Sequence, residues 1–306
     1  MKSKIVFLIL IFVLISNSIY SKEKVKVKDS TQIQMDEIEN SFNYQKGIIE
    51  FKSCYVKLTV PDGFRYLDSI QSKFVLSDLW GNPADSSVLG LLVPENKKIL
   101  DPECWVFVLL YENIGYVKDD DASDINYDEL MNQIQKDVQE SNIERKKLGY
   151  ESVEILGWAS VPFYDKDKKV LHWAKAIKFG SDSVNTLNYD LRILGKNGVF
   201  VLNAVALTKQ IDEIKPNIDK VLASVEFEQG STYFNFNPDV DKVATWTIGG
   251  LIAGKVLAKV GLFAIIAKFA KIIIVGIIAA GAAIWRFLTG KKKKEAAQRK
   301  ELGIGE

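Results

Sequence analysis

Four runs rich in β-branched and aromatic residues follow one another closely: Ser152 to Ser160, Val170 to Phe179, Thr186 to Leu194 and Val199 to Leu207. Turn-forming residues fill the gaps, with Asp165 to Lys168 in the first, Gly180 to Asp182 in the second and Gly195 to Gly198 in the third. A parallel crossover needs about a dozen residues or more, so gaps this short force antiparallel neighbours and predict a meander. Few folds accommodate such a block. Upstream, Ile48 to Phe51 and Cys54 to Val60 read as strands, the second closed by the turn residues Pro61, Asp62 and Gly63. Ser72 to Leu79 reads as a short helix, and Val88 to Val93 and Cys104 to Tyr111 as buried strands. A helix from Tyr127 to about Leu148 can be capped by Asp124 or Asn126, carries an apolar stripe of Leu130, Ile134, Val138 and Ile143, and stops at Gly149. Gln210 to Ser224 reads as a last helix leading into Val225 to Phe227. The sum is an α+β class domain over residues 44–243, an antiparallel sheet with packed helices.

The two ends carry a different message. Lys2 and Lys4 precede eleven apolar residues from Ile5 to Ile15, followed by Ser16, Asn17, Ser18 and Ser21. That order is the one found in secretory signals, and the run is too short for a bilayer, so residues 1–21 read as a signal peptide cleaved after Ser18 or Ser21. An uncleaved anchor is the alternative. Residues 22–43 read as a linker. Residues 244–288 read as a membrane anchor region with its span at about 265–288. The charge-free stretch Ile272 to Trp285 has fourteen residues, which cover only about 21 Å of a hydrocarbon core near 30 Å. The C-terminal transmembrane helix must therefore extend past Lys268 and Lys271, whose stems can carry their charges to the interface. A helical hairpin turning at those lysines competes with the single span. Gly276 and Ala280 form a small-residue pair that permits helix association. Residues 289–306, with Lys291 to Lys294, read as a basic cytoplasmic tail.

These readings place the protein in the inner (plasma) membrane, single-pass, with its domain on the periplasmic or extracytoplasmic side. Forty Lys and Arg balance thirty-nine Asp and Glu, so no global charge speaks for nucleic acid. The expected partners are the lipid bilayer and an envelope protein or a second copy of the chain. Cys54 and Cys104 would lie where oxidation is permitted, and they either pair or remain two core thiols.

Several segments carry a resemblance. They are Leu79-Trp80-Gly81-Asn82-Pro83, Gly115-Tyr116-Val117-Lys118-Asp119-Asp120-Asp121-Ala122, Gly157-Trp158-Ala159 with Pro162 and Tyr164-Asp165, Trp173-Ala174, Asn188-Tyr189 with Arg192, and Asp241-Lys242-Val243-Ala244. Together they resemble an uncharacterised bacterial family of membrane-anchored proteins carrying a domain of unknown function. Phe163 stands where that family's pattern has a basic residue after the proline. The element order also resembles the PsbP-like α/β/α sandwich. The resemblance implies place and architecture and brings no chemistry.

Among polar residues, Asp119, Asp120 and Asp121 offer the oxygen ligands that hard cations take, without EF-hand spacing. An acidic loop before a helix explains them equally well. Asn188 and Arg192 share one strand face by the period-two rule, with Asn185 and Tyr189 on the other. That face suits a ligand or partner, or simply solvent, and Tyr164 with Asp165 could extend it. His172 is the only histidine and reads as a half-exposed strand residue. The tryptophans, including Trp173, read as core and corner residues. No zinc motif, nucleophile elbow or phosphate loop is present, and no cofactor is called for. The expected function is a non-enzymatic binding, sensing or assembly module of the cell envelope. A metal- or carboxylate-dependent hydrolase is the alternative.

Overall fold

The computed structural model describes residues 30–82, 84–147, 151–181 and 183–254. The expected signal peptide, the membrane span and the lysine tail lie outside these residues. The chain divides into two compact units, residues 1–40 and 41–306. In the first, the reading of residues 22–43 as a linker is corrected: Ser30–Ser41 is a helix, α1. Its Gln, Met, Glu and Ile residues are adequate helix formers and no Gly or Pro interrupts them.

The second unit is built on three sheets. β3 (Phe64–Asp68), β4 (Val88–Pro94), β5 (Val106–Glu112), β7 (Val153–Asp165), β8 (Val170–Phe179), β9 (Thr186–Leu194) and β10 (Val199–Leu207) form a seven-stranded antiparallel sheet in the order β3-β4-β5-β10-β9-β8-β7. The predicted meander is its second half. β1 (Ile48–Phe51), β2 (Val56–Thr59) and β11 (Val225–Phe227) form a small antiparallel sheet, and β6 (Tyr116–Lys118) pairs in parallel with β12 (Val243–Thr247).

Side-chain alternation gives the large sheet two unlike faces. Phe107 and Leu109 of β5, Leu187, Tyr189 and Leu191 of β9, and Phe200, Leu202 and Ala204 of β10 point into an apolar core. Val56 and Leu58 of the small sheet and Ile214, Ile218 and Val221 close that core from the other side. The latter three come from a segment expected to be one helix. It breaks instead into α4 (Ile211–Ile214) and α5 (Ile218–Ala223), joined by a 3-10 turn at Lys215–Asn217. Pro216 in that turn has no N–H and cannot continue an α-helix. Likewise the predicted helix at 72–79 is the short α2 (Ser69–Lys73), capped by Asp68 through the Gln71 N–H at 2.9 Å, followed by a π-turn at Phe74–Leu79.

The second face is covered by α3 (Tyr127–Lys147). Asn126 caps it, its Oδ1 accepting from the N–H groups of Asp128 and Glu129 at 3.1 and 3.2 Å. Met131, Ile134, Val138, Ser141 and Arg145 form the buried stripe. Ile143, expected in that stripe, is 64% exposed: nine residues from Ile134, it sits about 180° away at 100° per residue. α3 is stitched to the edge strand β7 by side chains that satisfy its backbone. Asn142 both donates to the Val153 carbonyl and accepts its N–H at 2.8 Å, while Gln135 donates to the Ile155 carbonyl at 2.9 Å. An otherwise unpaired edge is thereby protected.

The expected domain end at 243 is also corrected. β12 and α6 (Ile248–Ala253) belong to the folded body, and all six residues of α6 are buried. The apolar, glycine-rich composition of α6 looks like the start of an anchor, yet this helix serves as core, while β12 stays partly exposed. Gly115 lets this segment dock, since a Cβ there would lie 2.6 Å from the Lys242 carbonyl oxygen and its φ of +93° disfavours side chains. Among the described residues no helix is long and apolar enough to cross a membrane.

Candidate functional site: a buried polar chamber

Asn188, Asp190 and Arg192 alternate along β9 and project from the second face of the large sheet, as the period-two rule predicts for Asn188 and Arg192. Strand register sets their neighbours. Trp173 on β8 and Asn203 on β10 flank Asp190, and Lys175 on β8 lies opposite Asn188. The solvent reading of this face is overturned: Asn188 and Arg192 are each 5% exposed, Asn203 2% and Trp173 1%. Ile134 and Val138 of α3, and Leu251 and Ile252 of α6, roof it over. A cavity of about 70 Å³ remains between polar floor and apolar roof.

Charges in the chamber are paired but poorly solvated. Arg192 Nη1 donates to Glu112 Oε2 at 2.7 Å, and its Nη2 lies 3.9 Å from Asp190 Oδ1. The guanidinium carbon sits 5.4 Å from the Trp173 ring centroid and the Lys175 ammonium 5.8 Å, so the indole carries a cation on each account. Burial pushes the Asp190 carboxyl up, opposed by the charges of Arg192 and Lys175. Burial likewise pushes the Lys175 ammonium down, opposed by Asp190. Four polar atoms here have no hydrogen-bond partner: Trp173 Nε1, Asn188 Oδ1, Arg192 Nε and Asn203 Oδ1. A buried polar atom left unpaired costs about 1–3 kcal/mol, so four on three adjoining strands demand an explanation.

The three consecutive carboxylates do not converge. Asp119 turns inward, where its Oδ2 accepts from Tyr164 Oη at 2.8 Å and Lys169 Nζ at 2.7 Å, and Tyr233 Oη lies 3.0 Å from its Oδ1. Partial burial would raise this carboxyl, but the hydrogen bonds from Lys169, Tyr164 and Tyr233, with the lysine charge, hold it below the usual range. Tyr164 and Tyr233 are correspondingly pushed up, first by burial. Asp120 is exposed. Asp121 turns to the start of α6, its two oxygens accepting from the N–H groups of Ile248 and Gly249 at 3.0 and 2.9 Å. Among the described residues no group of three or more His, Cys, Asp or Glu is arranged to hold a metal ion. The acid run is a structural junction, and Asp121 supplements the N-cap of α6, Thr247, whose Oγ1 accepts from the Gly250 N–H at 3.2 Å.

Tyr164 thus belongs to that junction, while Asp165 holds the β7–β8 turn by accepting from the N–H groups of Asp167 and Lys168 at 3.0 and 2.9 Å. Neither lines the chamber with Asn188 and Arg192, so the four residues expected on one face divide among three places. Asp165 and His172 line a wider cleft on the opposite side of the sheet, together with Phe163 and Asp219. His172 Nδ1 lies 3.1 Å from Tyr189 Oη, and burial lowers its pKa against the pull of Asp219 and Asp165. No disulfide joins Cys54 and Cys104. Instead, Cys54 Sγ turns to the Phe51 carbonyl at 3.4 Å, and Cys104 Sγ lies 3.8 Å from the Trp105 carbonyl.

Sequence reading missed Lys175, Asp190 and Asn203 and placed Trp173 in the core. The available signal was the uninterrupted polar alternation Asn188, Asp190, Arg192 within an otherwise apolar meander. Comparison with known proteins gives the chain a family. A family model described as "Protein of unknown function (DUF2167)" matches residues 43–282. The chain belongs to the DUF2167 family. No curated protein matches it in sequence. Similar solved structures include the cyanobacterial PsbP of Synechocystis sp. PCC 6803 at 10% identity, covering 60% of this chain and 92% of that one with a TM-score of 0.36. The Ran-binding protein Mog1p of Saccharomyces cerevisiae matches at 11% identity, 61% and 96% coverage and a TM-score of 0.30. LpqN of Mycobacterium tuberculosis, a protein involved in cell envelope biogenesis, matches at 15% identity, covering 62% and 94%, with a TM-score of 0.28. At such TM-scores the likeness bears on neither activity nor partners. The matched DUF2167 region extends past the described fold into the apolar segment that follows it.

Proposed function

We propose that this DUF2167 protein is a membrane-tethered module of the cell envelope that binds or senses a ligand without turning it over. The observation that supports this most is the position of α6. It roofs the polar chamber with Leu251 and Ile252, it ends at Gly254 in a left-handed conformation, and the region that reads as an anchor, with its span at about 265–288, follows it in sequence. The helix that closes the chamber is thus the described element nearest in sequence to the expected span. The metal-dependent hydrolase needs Asp119, Asp120 and Asp121 to converge, whereas Asp119 and Asp121 turn to different partners and Asp120 is exposed.

The test is protease accessibility in sealed cells stripped of any outer membrane, with one tag after Ser30 and one at the C-terminus. Digestion of the domain with protection of the C-terminal tag supports the exported, single-span reading. Digestion of both tags replaces the single span by a hairpin, and protection of both overturns the export reading.

A further inference from the structure

The chamber's atoms specify a ligand class. Its floor offers unpartnered N–H donors at Trp173 Nε1 and Arg192 Nε, beside the Lys175 ammonium, and unpartnered acceptors at Asn188 Oδ1 and Asn203 Oδ1, beside the Asp190 carboxylate. Donors and acceptors therefore occur together on one small floor. The charges already balance in sum: Arg192 and Lys175 stand against Glu112 and Asp190, both of which pair with Arg192, while the charge of Asp190 also acts on Lys175. A buried anion would leave an uncompensated negative charge and a buried cation a positive one, each disfavoured among side chains this little exposed. A molecule carrying both charges enters without altering the balance.

Size and shape narrow the class further. About 70 Å³ open to the centre of a water-sized sphere accommodates a few waters, each of which needs about 10–15 Å³ of such space, or a molecule of similar bulk. The roof of Ile134, Val138, Leu251 and Ile252 offers nothing polar, so any substituent turned toward it must be small and apolar. We propose that the chamber receives a small zwitterionic amino acid, its carboxylate held by Arg192, Trp173 and Lys175 and its ammonium by Asp190, Asn188 and Asn203. The inference rests on the binding-module reading and supplies its ligand.

Calorimetry on the detergent-solubilised full chain, titrated with glycine, L-alanine and D-alanine, tests it without reference to topology. Acetate and methylamine serve as the single-charge controls. Glycine or an alanine is expected to bind at least about tenfold more tightly than either control, a difference of about 1.4 kcal/mol. Asn203→Leu, which replaces an unpartnered amide with an apolar group of similar size, is expected to keep the fold by circular dichroism and lose the binding. Asp120→Asn, at an exposed position, is expected to bind as the parent does. Acetate binding as tightly as glycine overturns the zwitterion. Absence of heat with all three amino acids from a folded chain, or a crystal structure grown with glycine that shows ordered water only, overturns the ligand altogether. Either failure leaves the accessibility result standing, and a failed accessibility test leaves the titration intact.

Discussion

Asp119 and Asp121, two residues apart, hold different parts of the molecule, and their substitutions should fail differently. Asp121→Ala removes the acceptor for two N–H groups at the start of α6. Leaving such N–H groups without an acceptor costs about 1–3 kcal/mol, and denaturant unfolding is expected to show a loss in that range with little change in slope. Asp119 is a matter of pH. Its folded-state pKa lies below the ordinary aspartate value, so its contribution is full above the unfolded pKa near 3.9 and disappears as pH falls through the depressed value. Asp119→Asn is therefore expected to lower stability at neutral pH and to flatten the dependence below about pH 4, as read from midpoints across an acid series. Cys54, 2% exposed and with its pKa pushed up to about 11 by burial, is expected to resist alkylation at neutral pH while Cys104 reacts, which peptide mapping after brief iodoacetamide treatment would show. At this scale the shared face of Asn188 and Arg192 was legible, because strand alternation is geometric. Its burial was not, because α3 and α6 come from distant parts of the chain.

Among the elements, those with a sustained local period were the readable ones. β8, β9 and β10 stand where their apolar runs predict, and α3 begins at its cap. β3, β6 and β12 were missed for separate reasons. β3 follows the Pro-Asp-Gly turn at once and mixes Arg65 and Asp68 with apolar residues, and β6 has only three residues. β12 and α6 carry the Thr, Trp, Ile and Gly composition of a membrane entry, and only the docking of β12 on β6 and of α6 on the sheet face reveals a strand and a core helix there. This gives a clear expectation for truncation. A chain ending after Lys242 exposes the surfaces that Ile248, Leu251 and Ile252 cover, each fully buried side chain being worth about 1.5–3 kcal/mol. It is expected to unfold or aggregate, whereas a chain ending after Gly254 retains a cooperative transition in a thermal melt.

For the whole molecule, the large sheet separates two environments. One face is a continuous apolar core shared with the small sheet and the α4–α5 segment. The other is a polar floor beneath two helices. The α+β class followed from the short gaps between strands. The chamber did not, because it depends on how three neighbouring strands register and on what lies above them.

α6 is also the last described part of the fold before the apolar run, so any tension on that run is borne first by this one helix. Two hydrogen bonds from Asp121 and a handful of apolar contacts are weaker in series than seven strands paired side by side. Pulled from its C-terminal side in an optical trap, the domain is expected to yield first in a small, low-force step that uncaps the chamber while the sheet stays intact. On the proposed tether, a chain built in this way would convert strain into access.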